Sequence, residues 1–181
     1  MARALLIVDV QHDFLPGGAL GVPDGDAVFQ PIRREVASGH HDLVLATRDW
    51  HPLDHGSFVT ADPPGPWPVH CVQGTPGAEL SEALPLDAIA GVVDKGEAHD
   101  VEGYSAFDGT GLGARLRAAD VEEVVVVGLA TDYCVKHSAL DALREGFRVR
   151  VLAEATRPVE RQPGDGERAL EEVRAAGGEV R

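Results

Sequence analysis

Apolar runs alternate with helical patterns from one end of this chain to the other, and this alternation constrains the fold more than any other feature. Short runs rich in Val, Ile and Leu predict buried strands at residues 4–9, 42–47, 91–95, 123–128 and 148–153, with a short edge strand at 178–181. Apolar residues at helical spacing predict helices at residues 26–38, 111–119, 131–145 and 164–176. Strands that alternate with helices are typical of βαβ units, so we expect an α/β fold in which helices cover both faces of a mostly parallel sheet.

Length and charge restrict the classes of function. With 181 residues the chain has the usual size of one domain, and we expect residues 1–181 to form a single domain. The formal net charge is −14, from 16 basic and 30 acidic residues, and the sequence has no basic cluster that could follow a phosphate backbone. We therefore expect a small-molecule substrate and no binding to nucleic acid or to an anionic membrane surface.

The amino terminus and the cysteines indicate the compartment. The first apolar run is interrupted by Asp9, and it is too short for a signal segment or a transmembrane span, so we expect a cytoplasmic protein. The chain has two cysteines, Cys71 and Cys134, and free thiols are the usual state in a reducing compartment. We interpret Cys71 as a small buried residue and consider Cys134 for chemistry.

Cys134 follows the strongest strand signal of the chain, residues 123–128. Ligands of an open parallel sheet bind beyond the carboxyl ends of its strands, and a helix that begins near Thr131 would direct its positive dipole end at the sulfur, which favours a thiolate. Asp9 and Lys95 also stand at predicted strand ends, and they would supply the base and the cation that a thiol nucleophile needs. Each residue alone could be a solvated turn or a cap, so the hypothesis depends on the group.

A second group lies in residues 50–76 and just before them, a stretch rich in Pro, Gly and His without a periodic apolar pattern. Asp49 and His51 are two residues apart, so their side chains share one face of an extended segment, and His70 could close the site from the far end of the loop. One carboxylate and two imidazoles suit Zn²⁺, Fe²⁺ or Mn²⁺. His55 is a candidate fourth ligand, and the alternative for each histidine is an exposed loop residue.

Two aromatic residues, Phe14 and Trp67, flank these groups. Either could stack on a planar ring of a substrate, and either could equally belong to the core. The glycine-rich run at residues 16–21 lacks the G-x-G-x-x-G order of a dinucleotide site, so we interpret it as a turn.

Taken together, these residues resemble the nicotinamidase branch of the isochorismatase-like cysteine hydrolases. The matching runs span most of the chain in order, at residues 6–14, 47–52, 67–75, 94–96, 104–107 and 128–135. The resemblance implies a Rossmann-like three-layer sandwich with a six-stranded sheet and a catalytic triad of Asp9, Lys95 and Cys134. It also implies a cis peptide bond between Leu129 and Ala130 that turns backbone N–H groups toward the substrate oxygen.

The same resemblance implies the cofactor and the reaction. One divalent metal ion (Zn, Fe or Mn) would be held by Asp49, His51 and His70. The substrate would be nicotinamide or a related aromatic amide such as pyrazinamide, and the products would be nicotinate and ammonia, formed through a thioester on the cysteine. The ring would lie between Phe14 and Trp67, with its nitrogen at the metal.

Two alternatives stay open at this point. The chain could be another hydrolase of the superfamily, acting on isochorismate, an N-carbamoyl compound or a ureido compound, although those branches generally lack the set of Asp49, His51 and His70. It could also be a non-catalytic, metal-stabilised binding protein. A homo-oligomer is open as well, because the sequence has Glu154-Ala155 where the family often has Asp-Ala and ends abruptly after the last predicted strand.

Overall fold

The computed structural model describes residues 2–181 and shows one six-stranded sheet with helices on both faces. The strands are β1 (Ala2–Val8), β2 (Leu43–Asp49), β3 (Gly91–Lys95), β4 (Val121–Leu129), β5 (Arg148–Arg157) and β6 (Glu179–Val180). Their order across the sheet is β3-β2-β1-β4-β5-β6, and all neighbours are parallel. The α/β fold with a parallel sheet, predicted from the alternating pattern, is confirmed.

Four α-helices cover the sheet: α1 (Phe29–Ala37), α2 (Leu112–Ala118), α3 (Lys136–Arg144) and α4 (Asp165–Ala175). Alternate side chains of β1 point to opposite faces, so Leu6 packs in the cluster under α2, α3 and α4, and Leu5 packs in the cluster under α1. Strands buried on both faces read as continuous apolar runs, and this is why β1 and β4 are so evident in the sequence.

The boundaries differ from the sequence prediction where local geometry is irregular. The predicted helix 26–38 begins as a 3₁₀ turn (Gly25–Val28), and the predicted helix 131–145 begins as a π-helical turn (Thr131–Val135). β5 extends to Arg157 rather than to residue 153, beyond a register irregularity opposite β4. β2 extends to Asp49 rather than to residue 47, because the backbone of Asp49 is paired with Lys95 of β3.

The longest α-helix of residues 2–181 has 11 residues, and none of the helices in this range is long and apolar enough to cross a membrane. The cytoplasmic location stays a prediction from the sequence.

Gly128, near the end of β4, allows the close approach of the two central strands. Its φ is +110°, and a Cβ atom at this position would lie 2.1 Å from the carbonyl oxygen of Val8. Val8 is the last residue of β1 and precedes Asp9. The glycine therefore fixes the spacing between the strand that leads to Asp9 and the strand that leads to Cys134.

We expect Gly128→Ala to lower the free energy of unfolding by more than about 3 kcal/mol, because backbone strain and overpacking each contribute roughly 1–3 kcal/mol. Gly146→Ala is the matched control, since Gly146 also has a positive φ (+91°), but a Cβ added there would meet no atom of residues 2–181 within 4 Å. The control should lose only about 1–2 kcal/mol. Urea unfolding of both variants measures the difference. Equal losses of stability would show that the close approach of β1 and β4 does not require a glycine at residue 128.

Candidate active site

Four polar side chains meet at the carboxyl end of the sheet because of its strand order. β1 lies between β2 and β4, and β3 lies beside β2. Asp9 directly follows β1, Asp49 ends β2, Lys95 ends β3, and Cys134 lies in the π-helical turn after β4. Parallel strands end at the same edge, so residues that are far apart in sequence become neighbours here.

Lys95 is the centre of this group. Its Nζ lies 2.7 Å from Asp9 Oδ2, 2.5 Å from Asp49 Oδ1 and 3.4 Å from Cys134 Sγ. It also donates a hydrogen bond of 2.6 Å to the carbonyl oxygen of Gly103. The side chain is 1% exposed, so one buried cation contacts both carboxylates and the thiol.

The opposite charges of Lys95 and Asp49 each favour the ionised form of the other. Burial alone would lower the pKa of Lys95, but the carboxylates of Asp49 and Asp9 outweigh burial and raise the pKa well above its usual range. Burial alone would raise the pKa of Asp49, but the Lys95 ammonium and the neighbouring imidazoles hold it far below its usual range. Lys95 is therefore protonated and Asp49 ionised at neutral pH.

The backbone and one carboxylate oxygen of Asp9 are held by Thr47 of β2, and the other oxygen faces Lys95. Its φ is +49°, and its backbone N–H donates to the carbonyl oxygen of Thr47 over 3.2 Å. Thr47 Oγ1 donates to Asp9 Oδ1 over 2.6 Å, whereas Oδ2 accepts no directed hydrogen bond within residues 2–181 and has only its ion-pair contact with Lys95. Burial raises the pKa of Asp9 more than Lys95 lowers it, which makes the carboxylate a stronger base.

The environment of Cys134 differs from the sequence expectation in one respect. The sequence predicts a setting that favours a thiolate, and Lys95 does act in that direction. Burial has the larger effect and raises the pKa of the Cys134 thiol well above its usual range, and the nearby Asp9 carboxylate raises it further. The resting residue is therefore a thiol that needs a base.

The turn that carries Cys134 begins after a cis peptide bond and bonds its own amides to the residue before it. The peptide bond between Leu129 and Ala130 is cis, as the family resemblance implies. The amides of Tyr133 and Val135 both donate to the carbonyl oxygen of Ala130 over 3.1 Å. The amides of the residues before and after Cys134 therefore already have an acceptor. No side chain of residues 2–181 caps the amino terminus of the π-helical turn.

Asp49, His51 and His70 form a buried group whose ligand atoms all lie within 4.8 Å of one another. His51 Nδ1 donates to the carbonyl oxygen of Gly96 and His70 Nδ1 donates to that of Pro68, over 2.8 and 2.7 Å. These bonds leave the lone pair of each Nε2 directed at the carboxylate, with distances of 3.4 and 3.9 Å to Asp49 Oδ2. Such second hydrogen bonds fix the tautomer of metal-binding histidines, so the donor set fits a divalent ion.

The two imidazoles respond differently to protons. Burial lowers the pKa of His70. Burial acts on His51 in the same direction, but the hydrogen bond to Asp49 and the charge of that carboxylate outweigh it and raise the pKa of His51. On acidification, His51 is therefore the first of the two to take up a proton in competition with a metal ion.

His55, the candidate fourth ligand, lies outside this group. Its Nε2 donates to the carbonyl oxygen of Val101 over 2.8 Å, and its Nδ1 is 2.7 Å from the hydroxyl of Ser57. Neither ring nitrogen has a free lone pair, although the ring stacks on His51 with centroids 3.9 Å apart. His55 supports the position of a ligand rather than joining the donor set.

Backbone hydrogen bonds join the loop that carries His70 to the segment that follows β2. His51 N–H donates to the carbonyl oxygen of Cys71, and Gln73 N–H donates to that of His51, both over 2.9 Å. Cys71 has a φ of +47°, and its own N–H donates to Asp13 Oδ2 over 2.7 Å. Cys71 is fully buried, and burial raises the pKa of its thiol.

One cavity joins the thiol to the histidine group. Phe14 and Trp67, expected from the sequence to contact a ring, both line it and are 8% and 7% exposed. The cavity wall is otherwise mostly apolar or aromatic, and it includes Leu20, Val22, Tyr104, Ala130, Tyr133 and Val159. A mostly apolar cavity with a few polar groups suits a flat aromatic ligand.

Several residues of the site were missed by sequence reasoning. Tyr104 accepts a hydrogen bond of 2.8 Å from Trp67 Nε1, and Tyr133 packs edge-on against the same ring. Gln11 holds Asp49 in place, because its side chain bonds both the N–H and the carbonyl oxygen of that residue over 2.8 Å. Tyr133 could have been noticed as the neighbour of Cys134, whereas the role of Gln11 depends on contacts 38 residues apart.

Comparisons with known proteins agree with this geometry. A family model described as the isochorismatase domain matches residues 3–181. The chain is 43% identical to a protein named nicotinamidase from Escherichia coli (strain K12), over 97% of this chain and 92% of that protein. Two solved structures are similar to it. The pyrazinamidase of Pyrococcus horikoshii in complex with zinc is 46% identical, with a TM-score of 0.88 over 100% of this chain and 99% of the other. PnC1 from L. infantum in complex with nicotinate is 38% identical, with a TM-score of 0.93 over 99% of this chain and 92% of the other.

If Asp49, His51 and His70 form one metal site, gently purified protein should contain close to one divalent transition metal ion per chain. We expect His51→Ala and His70→Ala to lose that ion, and His55→Ala to retain it with a lower thermal stability, because only the first two offer a free nitrogen. The affinity for the metal ion should decrease as the pH is lowered, because His51 becomes protonated. Elemental analysis after dialysis at several pH values measures both effects, and loss of metal from His55→Ala alone would contradict the assignment.

Proposed function

The chain belongs to the isochorismatase family, and we propose that it converts nicotinamide to nicotinate and ammonia. It is an amide hydrolase, and its relatives include a nicotinamidase and a zinc-bound pyrazinamidase that are similar over nearly the whole chain. The observation that carries the proposal is the shared cavity. Cys134, Asp49, His51 and His70 all line one largely apolar cavity, and the ligand atoms of Asp9, Asp49 and Cys134 lie within 4.8 Å of one another.

The first half of the reaction transfers the acyl group to sulfur. Asp9 Oδ2 accepts the proton of Cys134 as the sulfur attacks the carboxamide carbon, and Lys95 stabilises the negative charge that passes to the sulfur. When the tetrahedral intermediate collapses, the C–N bond breaks and Asp9 returns the proton to the leaving nitrogen. Ammonia leaves, and the acyl group stays on Cys134 as a thioester.

The second half uses the same groups with water. Asp9 is again a carboxylate, so it accepts a proton from a water molecule that attacks the thioester carbon. Collapse of this second intermediate breaks the C–S bond, the proton returns from Asp9 to Cys134, and the product leaves as a carboxylic acid that gives its proton to water. The base and the nucleophile are then in their starting states.

The negative charge on the substrate oxygen needs donors in both halves. We assign this role to the backbone N–H groups of Ala130 and Cys134, at the start of the π-helical turn and within it. The amides of Tyr133 and Val135 are not available for this role, because the carbonyl oxygen of Ala130 already accepts both. Each such donor typically lowers the barrier by about 3 kcal/mol.

Asp49, His51 and His70 would hold the divalent ion, whose Lewis acidity would orient the substrate through its ring nitrogen. The ring itself would lie between Phe14 and Trp67, at the apolar part of the cavity. This arrangement fits nicotinamide and pyrazinamide, which both have a ring nitrogen meta to the carboxamide. Isochorismate and linear ureido compounds have no aromatic nitrogen for such a site.

Replacement of each thiol separates the chemical role from the structural one. Cys134→Ala should abolish nicotinamide hydrolysis without loss of the fold, since only the nucleophile is removed. Cys71→Ala is the matched control, and we expect it to keep most of its activity and lose about 1–3 kcal/mol of stability, as for a small buried truncation. Ammonia release and thermal unfolding of both variants test this. A folded Cys71→Ala variant without activity would reverse the assignment.

Asp9→Asn should have opposite effects on turnover and on thiol reactivity. The amide cannot accept the proton, so we expect turnover to fall by about 10²–10⁴-fold. The Asp9 charge raises the pKa of Cys134 and Lys95 lowers it, so loss of that charge should shift the alkylation of Cys134 by iodoacetamide to lower pH. Asn tolerates the positive φ of this position well.

Lys95→Met should shift the pH profile of Cys134 alkylation to higher pH. Shifts in the same direction for Asp9→Asn and Lys95→Met would contradict the scheme.

A further inference from the structure

The carboxylate of Asp132 is buried beside the active site, yet the scheme above gives it no role. It lies two residues before Cys134 in the π-helical turn and is 6% exposed. Its Oδ1 accepts a hydrogen bond of 2.8 Å from the N–H of Val159, and its Oδ2 accepts one of 3.0 Å from the N–H of Glu160. Both oxygens therefore hold consecutive backbone amides of one distant segment.

That segment, residues 158–161, contributes one residue to the cavity wall, and we name it the cavity strap. Val159 lines the cavity directly. The guanidinium of Arg161 lies over the ring of Trp67, 5.0 Å from its centroid, and so covers the outer face of an aromatic residue that lines the same cavity. The strap thus contributes one wall residue and one contact that supports a second wall residue.

Two further contacts hold the strap. Val159 packs against the hydrophobic cluster under α1, and the side chain of Glu160 accepts hydrogen bonds from the N–H groups of Gly164 and Gly166 over 2.9 and 2.8 Å at the start of α4. Glu160 itself has a φ of +56°, so the strap turns sharply at this residue. Asp132 holds the side of the turn that faces the cavity, whereas Glu160 holds the side that leads into the helix.

We propose that Asp132 is a positioning residue that sets the width of the ring slot by holding the cavity strap. Hydrogen bonds from backbone amides to a carboxylate are stronger than those to a neutral acceptor, and buried amides left without acceptors are unfavourable. Asp132 therefore fixes Val159 and Arg161 against the slot and acts on binding of the aromatic ring, not on the sulfur. This inference rests on the proposed function, because it assumes that the slot binds the ring of the amide.

Asp132→Asn tests the proposal, since Asn keeps the shape of the side chain but has only one acceptor oxygen and turns an NH₂ group toward the second amide. With metal-loaded protein, we expect KM for nicotinamide to rise about tenfold while kcat changes by less than about threefold, the pattern for lost substrate binding. The alkylation rate of Cys134 by iodoacetamide, a small reagent that does not need the ring slot, should be unchanged.

Asp165→Asn is the matched control. Its carboxylate accepts the N–H of Gln162 over 2.8 Å, just beyond the strap and away from the cavity, so this variant should lose stability without a change in KM.

Turnover of nicotinamide by the unmodified chain tests the proposed function itself. The ratio of KM and kcat in the variant to those of the unmodified chain tests whether Asp132 holds the cavity strap. A fall in kcat and alkylation at unchanged KM would place Asp132 in support of the nucleophile and overturn the proposal. Equal effects in the two variants, or lower stability with unchanged kinetics, would also overturn it.

Discussion

The buried ammonium of Lys95 is the interaction on which the rest of the site depends. It lies between the carboxylates of Asp9 and Asp49, at 2.7 and 2.5 Å, and all three side chains are shielded from water. Removal of one partner from a buried ion pair typically lowers stability by about 3–5 kcal/mol, because the remaining charge is left without compensation. Here two carboxylates would be left, so Lys95 stabilises the approach of the side chains at the ends of β1 and β2. The fold and the chemistry therefore share one cation.

Asp49 extends this dependence from Cys134 to the group of His51 and His70. Its Oδ1 accepts from Lys95, while its Oδ2 faces the free nitrogens of His51 and His70. A single carboxylate therefore belongs to both groups, and a change of charge on one side alters the field on the other. This also explains why Gln11 fixes the backbone of Asp49 with two hydrogen bonds. A displacement of this residue would disturb the base, the cation and the metal ligands together.

The sequence predicted the sheet and most of the polar groups at its edge because both have short-range signals. Buried parallel strands read as apolar runs, and a polar residue at the end of such a run, such as Asp9 or Lys95, is visible without a structure. The turn geometry was not visible. The positive φ of Asp9 and the π-helical start of the helix at Thr131 depend on contacts between distant segments. His55 shows the same limit, since spacing alone cannot reveal that its lone pair is already used by Ser57.

Burial of Cys134 changes how its reactivity is controlled. A helix amino terminus and a nearby lysine would favour a permanent thiolate in an open site, but here burial and the Asp9 carboxylate outweigh them and raise the thiol pKa. Since oxidants and small electrophiles react with the thiolate, the resting thiol is protected. In the proposed scheme, Asp9 takes the proton as the sulfur attacks the carboxamide carbon. Selectivity for the amide would then depend on the cavity, because a ligand that fills it places its carbonyl carbon at the sulfur.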